Sequence, residues 1–309
     1  MIIPAVRASA RSEVTAVASR ALDRAQAYAA EWKIPRALGS YEALVADPEI
    51  DIIYIGLPNS LHVEWTVRAL EAGTHVLCEK PLALTVEDVD RIQAAAARAS
   101  RVAAEAFMYR HHPLTFAAQA VVRSGRLGPV RGFKGAFTFP LTRAGDVRLE
   151  TSLGGGSVWD VGCYPVSYTC FLADAAPVEV FGWQQPSAPG VDLEFSGMMR
   201  FADGSVGQFD SGFLGPLRSE MEVVGRDAVL RIARPFRTDA HSRLLLIRGD
   251  ETETLPFDAQ PPFAGEIADM EAVALDGRPP RIPLSESRRT VHTIRSLYDS
   301  AQAGRPVQL

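Results

Sequence analysis

A chain of 309 residues with 47 % apolar and 22 % charged residues is a globular protein with room for about two domains. A net charge of −5 with scattered basic residues excludes the clustered basic face of a nucleic-acid binder. The longest apolar runs, DIIYIGLP and HVLCEKP, fall far short of the roughly 20 residues of a membrane span.

The opening residues lack the pattern of a secretory signal. Cys78, Cys163 and Cys170 have no metal-site spacing and read as reduced thiols, so a cytoplasmic location is expected. Ile2, Ile3 and Val6 form a short apolar stripe at helical spacing. VTAVAS then reads as a buried strand ending at Ser19-Arg20. ALDRAQAYAAEWKI predicts a helix stopped by Pro35, which lacks an N–H and restricts Ile34 before it. SYEALVADPEI predicts a short helix with Ser40 as N-cap. DIIYIGLP is apolar throughout, as a central parallel strand is. SLHVEWTVRALEAG predicts a helix stopped at Gly73, and HVLCEKP a strand stopped at Pro81. TVEDVDRIQAAAARAS predicts a helix capped by Thr85, and RVAAEAFMY a further strand.

Strands separated by helices imply a doubly wound parallel sheet, an α/β fold, over residues 1–110. From 111 to 309 the texture changes. A helix PLTFAAQAVVRSG is followed by strands with period-two alternation and glycine turns, Asp203-Gly204 the clearest, and by two helices near 263–275 and 285–303. This predicts an α+β domain with a mainly antiparallel open sheet. One face of that sheet packs on helices. The other is expected to carry Phe and Val that need a cover, hence a homo-oligomer.

In parallel sheets ligands bind beyond the carboxyl ends of the strands. That directs attention to Ser19-Arg20, Leu57-Pro58-Asn59, Glu79-Lys80-Pro81 and Tyr109-Arg110. A lysine at such an end, Lys80, can donate to a substrate hydroxyl or acidify a neighbour. In GGGSVWDVGCYPV the triple glycine lets backbone approach a ligand and opens a helix, on which Asp160 and Tyr164, four apart, share a face. Taken singly, each of these has a bland reading as a surface lysine or an ordinary amphipathic pair. The strand ending in VASR carries no acid for a ribose 2′-hydroxyl. Ser19 and Arg20 instead offer a hydroxyl and a charged fork to a 2′-phosphate, which argues for NADP rather than NAD.

Together, EKP at 79–81, LPNSLH one strand earlier and GGGxxxDxGxY at 154–164 resemble the Gfo/Idh/MocA oxidoreductases over nearly the whole chain. The tyrosine at 164 is similar to the glucose–fructose oxidoreductase, dihydrodiol dehydrogenase and NADP-dependent xylose dehydrogenase branch. The resemblance implies hydride transfer between NADP and the CH–OH group of a sugar or cyclic diol. Lys80 and Tyr164 would form the catalytic pair, with Asp160 as substrate ligand. It also implies that Leu57, Pro58, Asn59, His62, Glu79 and Arg110 line the cofactor crevice, and that the protein forms dimers or tetramers. A nearby ammonium is expected to lower the phenol of Tyr164 from about 10 by roughly 1–3 units.

Family members begin with a strand and a G-x-G-x-x-G/A turn, and neither precedes IIPAVRAS in this sequence. The expectation is a parallel sheet lacking its first, central strand, in an N-terminally truncated chain. That would leave neighbouring strands with unpaired backbone groups. A catalytically silent, metabolite-binding relative or a non-functional truncation is the competing reading.

Overall fold

The computed structural model describes residues 2–143, 145–188 and 190–309. Its first hundred residues alternate helix and strand: α1 (Ile3–Ala8), β1 (Ala16–Ala18), α2 (Leu22–Trp32), β2 (Arg36–Leu38), α3 (Tyr41–Val45), β3 (Ile52–Ile55), α4 (His62–Glu71), β4 (His75–Glu79), α5 (Val86–Ala99) and β5 (Ala103–Ala106). Local chemistry sets the ends. Ser40 Oγ accepts from Ala43 N at 3.1 Å and Thr85 Oγ1 from Asp88 N at 3.2 Å, each satisfying an orphan donor of a first turn. Pro35 stands two residues after Lys33, whose φ of 50° already closes α2.

β3, β4 and β5 pair in parallel and in that order. Ile53, Ile55, Val76 and Cys78 are buried toward α4 and α5, and Leu77, Ala104 and Ala106 on the other face pack against Met270. β1 and β2 form a separate parallel pair. The parallel layer is therefore in two pieces. Among the described residues, β1 pairs with β2 and β3 with β4, and neither has a partner on its other side. An apolar cavity of about 590 Å³ lies between them, lined by Ile3, Val17, Ile53, Ile55, Leu77 and Met270 among others. A break at this point of the sheet is what the sequence predicted.

After β5 come α6 (Pro113–Arg123), β6 (Val130–Thr138), α7 (Cys163–Ala173), β7 (Glu179–Pro186), β8 (Asp192–Arg200), β9 (Val206–Gly212), β10 (Arg218–Gly225), β11 (Val229–Ala233), β12 (Arg243–Arg248), β13 (Glu251–Leu255), α8 (Ala264–Asp276), α9 (Leu284–Ala303) and β14 (Val307–Gln308). Nine of these strands form one sheet in the order β13-β12-β11-β10-β6-β9-β8-β7-β14. Every pairing is antiparallel except β6 with β9. Phe201 to Ser205, with Asp203 accepting from Ser205 N and Gly204 at φ +84°, turns β8 into β9 as the sequence predicted. α7 and α9 cover one face, over Phe133, Phe195, Met199 and Phe209.

The uncovered face differs from expectation. Phe133, Phe137 and Phe209 point inward, and the outward positions hold Lys134, Gln208, Asp210, Arg218, Glu220 and Glu222 beside an apolar group of Phe181, Trp183 and Met198. The alternation was read in the right period but with the aromatic set on the wrong face. α8 and α9 run back to the parallel layer, α8 beside α1 and α9 against α5 and β5, and so tie the two sheets together.

Candidate active site

The carboxyl end of β4 delivers Glu79, Lys80 and Pro81, joined by a cis Lys80–Pro81 peptide. Opposite stands the segment that opens α7. Pro165 has no N–H, and a proline ring clashes with the carbonyl four residues back. At that point the backbone widens into a single π-turn over Val158–Gly162, with Cys163 N reaching Val158 O, before α7 proceeds. The helix predicted across 160–164 is thus not regular there. The π-turn presents two oxygens of Asp160 to Lys80: Nζ donates to the carbonyl oxygen at 2.6 Å and to Oδ1 at 2.9 Å.

The other carboxylate oxygen is also held. Arg148 Nε donates to Asp160 Oδ2 at 2.6 Å, and Arg148 Nη1 reaches Asp146 Oδ1 at 3.2 Å. Arg148 was not singled out from the sequence. Its only signal is its place just before the triple glycine.

Tyr164 lies beside this cluster. Its ring packs among Phe107, Tyr109, Phe137 and Phe236, with centroids 5.3–5.6 Å away, and Lys80 Nζ is 5.3 Å from its centroid. The hydroxyl makes no hydrogen bond with another described residue, so it is free to meet a ligand. Burial pushes the phenol well above its ordinary pKa, while the Lys80 ammonium pulls the other way and loses. This corrects the expectation of a lowered pKa: the apolar ring cage outweighs one ammonium that is itself half neutralised by Asp160. For Lys80, burial opposes the charge, but Asp160 and the phenol side of Tyr164 prevail and raise its pKa. For Asp160, burial again works against the charged form, and Lys80 and Arg148 overcome it, holding the carboxyl below its usual range. The resting site is an ionised Lys–Asp–Arg group beside a neutral phenol.

The triple glycine serves packing more than ligand approach. A Cβ on Gly154 would meet Leu84 at 2.6 Å, one on Gly155 the Arg148 carbonyl oxygen at 2.4 Å, and one on Gly156 Asp192 Oδ1 at 2.3 Å. Asn59, predicted to face a cofactor, donates through Nδ2 to Gly154 O at 2.9 Å and clasps this loop to the parallel layer. His62 is also not in the crevice. It is fully buried, with Nδ1 2.8 Å from Pro81 O and Nε2 2.7 Å from Leu57 O, a strut between the loops after β3 and β4. Arg110 is turned away as well. It is buried, paired with Glu286 at 2.7 Å and stacked 3.8 Å over Phe171. Glu79 is engaged by the Tyr54 hydroxyl and by Lys80 N. Leu57 and Pro58 form the loop after β3. Ser19 follows β1, its N–H bonded to Leu38 O, and the exposed Arg20 after it makes no ion pair with a described residue. An unpaired guanidinium at a strand's carboxyl end fits a phosphate group.

Comparison with known proteins places the chain among oxidoreductases. Residues 1–107 match the oxidoreductase family with an NAD-binding Rossmann fold, and residues 116–231 match the GFO/IDH/MocA C-terminal domain. A D-xylose 1-dehydrogenase (NADP(+)) of Haloferax volcanii is 38 % identical, covering 100 % of this chain and 95 % of its own length. An aldose-aldose oxidoreductase of Caulobacter crescentus, solved with glycerol, superposes with a TM-score of 0.92 at 27 % identity, over 100 % of this chain and 95 % of that one. The 3-ketoreductase KijD10 of Actinomadura kijaniata, solved with NADP and TDP-benzene, gives 0.91 at 29 % identity over 97 % and 93 %. With both domains matched and a relative of this identity aligned end to end, the chain belongs to the Gfo/Idh/MocA family of oxidoreductases.

Proposed function

We propose that this protein transfers a hydride between NADP and the CH–OH or C=O carbon of a sugar or cyclic diol, with Tyr164 as the proton carrier and Lys80 as its electrostatic partner. The observation that carries the reading is the convergence of Lys80, Asp160 and an unbonded Tyr164 hydroxyl at the carboxyl end of β4. Ser19 and Arg20, at the carboxyl end of β1, would hold the 2′-phosphate. When bound, NADP supplies the hydride acceptor or donor. Lys80 then orients the substrate oxygen, and Tyr164 gives or takes its proton. A neutral phenol is ready to donate, so carbonyl reduction needs no prior ionisation. Oxidation of an alcohol needs the phenolate, which the Lys80 ammonium favours.

Asp160 has both oxygens on cations, so a substrate hydroxyl would donate to a remaining lone pair rather than displace Lys80. The sequence match to an NADP-linked xylose dehydrogenase and the fold match to KijD10 with NADP support the cofactor choice. Three buried free cysteines suit a reducing, cytoplasmic setting. Trp183 and Met198 on the uncovered sheet face suit a dimer or tetramer built there, a state that light scattering reads directly. The function itself is tested by incubating the protein with NADP and a panel of aldoses, cyclitols and aromatic dihydrodiols while following NADPH absorbance. Turnover with one member supports the reading, and silence across the panel in both directions rejects it.

A further inference from the structure

Arg148 lies in a loop that does not need its side chain. Asp146 caps the short turn 147–149 by accepting from Arg148 N at 3.0 Å. Arg148 O accepts from Gly156 N at 2.9 Å, and Glu150 O from Gly155 N at 3.0 Å. The backbone is therefore anchored to the glycine segment by its own hydrogen bonds. The guanidinium is left free to act elsewhere, and it acts on Asp160. Asp146 fixes Nη1, and the ring of Phe139 lies 5.9 Å from the guanidinium carbon, so the planar fork has one orientation. The side chain is 40 % exposed while those of Lys80 and Asp160 are 14 % and 13 % exposed. Arg148 closes the cluster on its solvent side.

We infer that Arg148 is a positioning residue for the proposed hydride-transfer site: by occupying Asp160 Oδ2 it confines Lys80 to Oδ1 and the main-chain oxygen, beside Tyr164. Two geometric consequences follow. With Oδ2 taken, Nζ has no second carboxylate oxygen to swing toward. With two cations on one carboxylate, Lys80 is only partly neutralised and keeps charge to act on the phenol. Losing Arg148 would leave Lys80 and Asp160 as a closed pair and remove a positive charge from the neighbourhood of Tyr164. The phenolate would then form at higher pH.

The inference rests on the dehydrogenase reading above, and its test separates the two. Wild type, Arg148→Gln, Arg148→Lys and Tyr164→Phe are compared with the substrate found in the panel. For Arg148→Gln, kcat for oxidation falls about 10–100-fold, of the order expected when a reacting group is misplaced. Its KM for NADP stays unchanged, because Ser19 and Arg20 are untouched. The rise of oxidation rate with pH moves to higher pH. Arg148→Lys restores the pH profile, since the charge returns, but only part of kcat, since the fork does not. An unchanged NADP dissociation constant in each variant shows that it is folded. If wild type turns over and Tyr164→Phe does not, but Arg148→Gln keeps both wild-type kcat and pH profile, the inference is overturned and the reading stands. If wild type itself does not turn over, the reading fails and takes the inference with it.

Discussion

At the scale of single residues, the site is a contest between burial and charge. Tyr164 is caged by four aromatic rings, and that cage raises its pKa against the pull of Lys80. The sign of the pH dependence follows. With Tyr164 as the proposed proton carrier, carbonyl reduction would use the protonated phenol, so its rate should stay level through neutral pH and fall only in the alkaline range. Alcohol oxidation would use the phenolate and should climb as pH rises above neutral. A reduction rate that falls between pH 6 and 8 in step with a rising oxidation rate would place the phenol's pKa near 7, against the burial argument. Arg20 is exposed and unpaired, so Arg20→Ala should leave the fold intact. It should weaken NADP by roughly 10–100-fold, the worth of about 1.5–3 kcal/mol for a charge-assisted contact, and leave NAD nearly unaffected. Equal weakening of both, measured by calorimetry, would remove Arg20 from the 2′-phosphate. Residues of this kind were partly legible. Lys80, Asp160, Tyr164 and Arg20 stand at strand ends or in a glycine-opened segment, and general rules point there. The protein partners of His62, Arg110 and Asn59 were not legible, because side-chain direction is not visible in a sequence. Each looked polar and near the crevice, and each bonds a protein partner: Asn59 with Gly154 O, His62 with Pro81 O, Arg110 with Glu286. Arg148 was invisible for the converse reason: it is one arginine among many, and only the fold brings it to Asp160.

At the scale of elements, the short π-turn at 158–162 decides where Asp160 points. Pro165 explains it, having no N–H for the carbonyl of Val161 to receive in a regular helix. Pro165→Ala restores that donor and should let α7 extend regularly toward residue 158. Asp160 would rotate away from Lys80, and kcat should fall by about 10–100-fold with little change in melting temperature. Wild-type turnover in that variant would show that the turn does not aim the carboxylate. The longer helices and strands were readable from caps and periodicity, as Ser40 and Thr85 illustrate. β2 was not read: Arg36–Leu38 offers three residues and no alternation, and it is a strand because β1 lies beside it. The outward face of the nine-stranded sheet was misread because FKGAFTF fits either register. Gly135, whose Cβ would meet Pro165 at 2.7 Å, marks the side on which α7 packs.

At the scale of the molecule, two sheets share the work. The parallel layer offers strand ends, the larger sheet carries α7, and α8 and α9 fasten one to the other. The parallel order of β3, β4 and β5 was legible, because strand patterns there alternate with helix patterns. The cavity between β1 and β3 is apolar and flanked by strand edges, so an extended apolar segment lodged in it would pair on both sides. What the sequence left unread is the direct ion pair of Lys80 with Asp160, made across 80 residues by tertiary packing alone. In the proposed reaction this contact sets up proton transfer through Tyr164. The most direct test is the steady-state rate of NADP-linked oxidation in wild type and in Tyr164→Phe, with NADP affinity measured in both. A loss of about 10²–10⁴ in kcat with affinity unchanged is expected, since only the phenolic oxygen is removed. A Tyr164→Phe protein that turns over at the wild-type rate would contradict it.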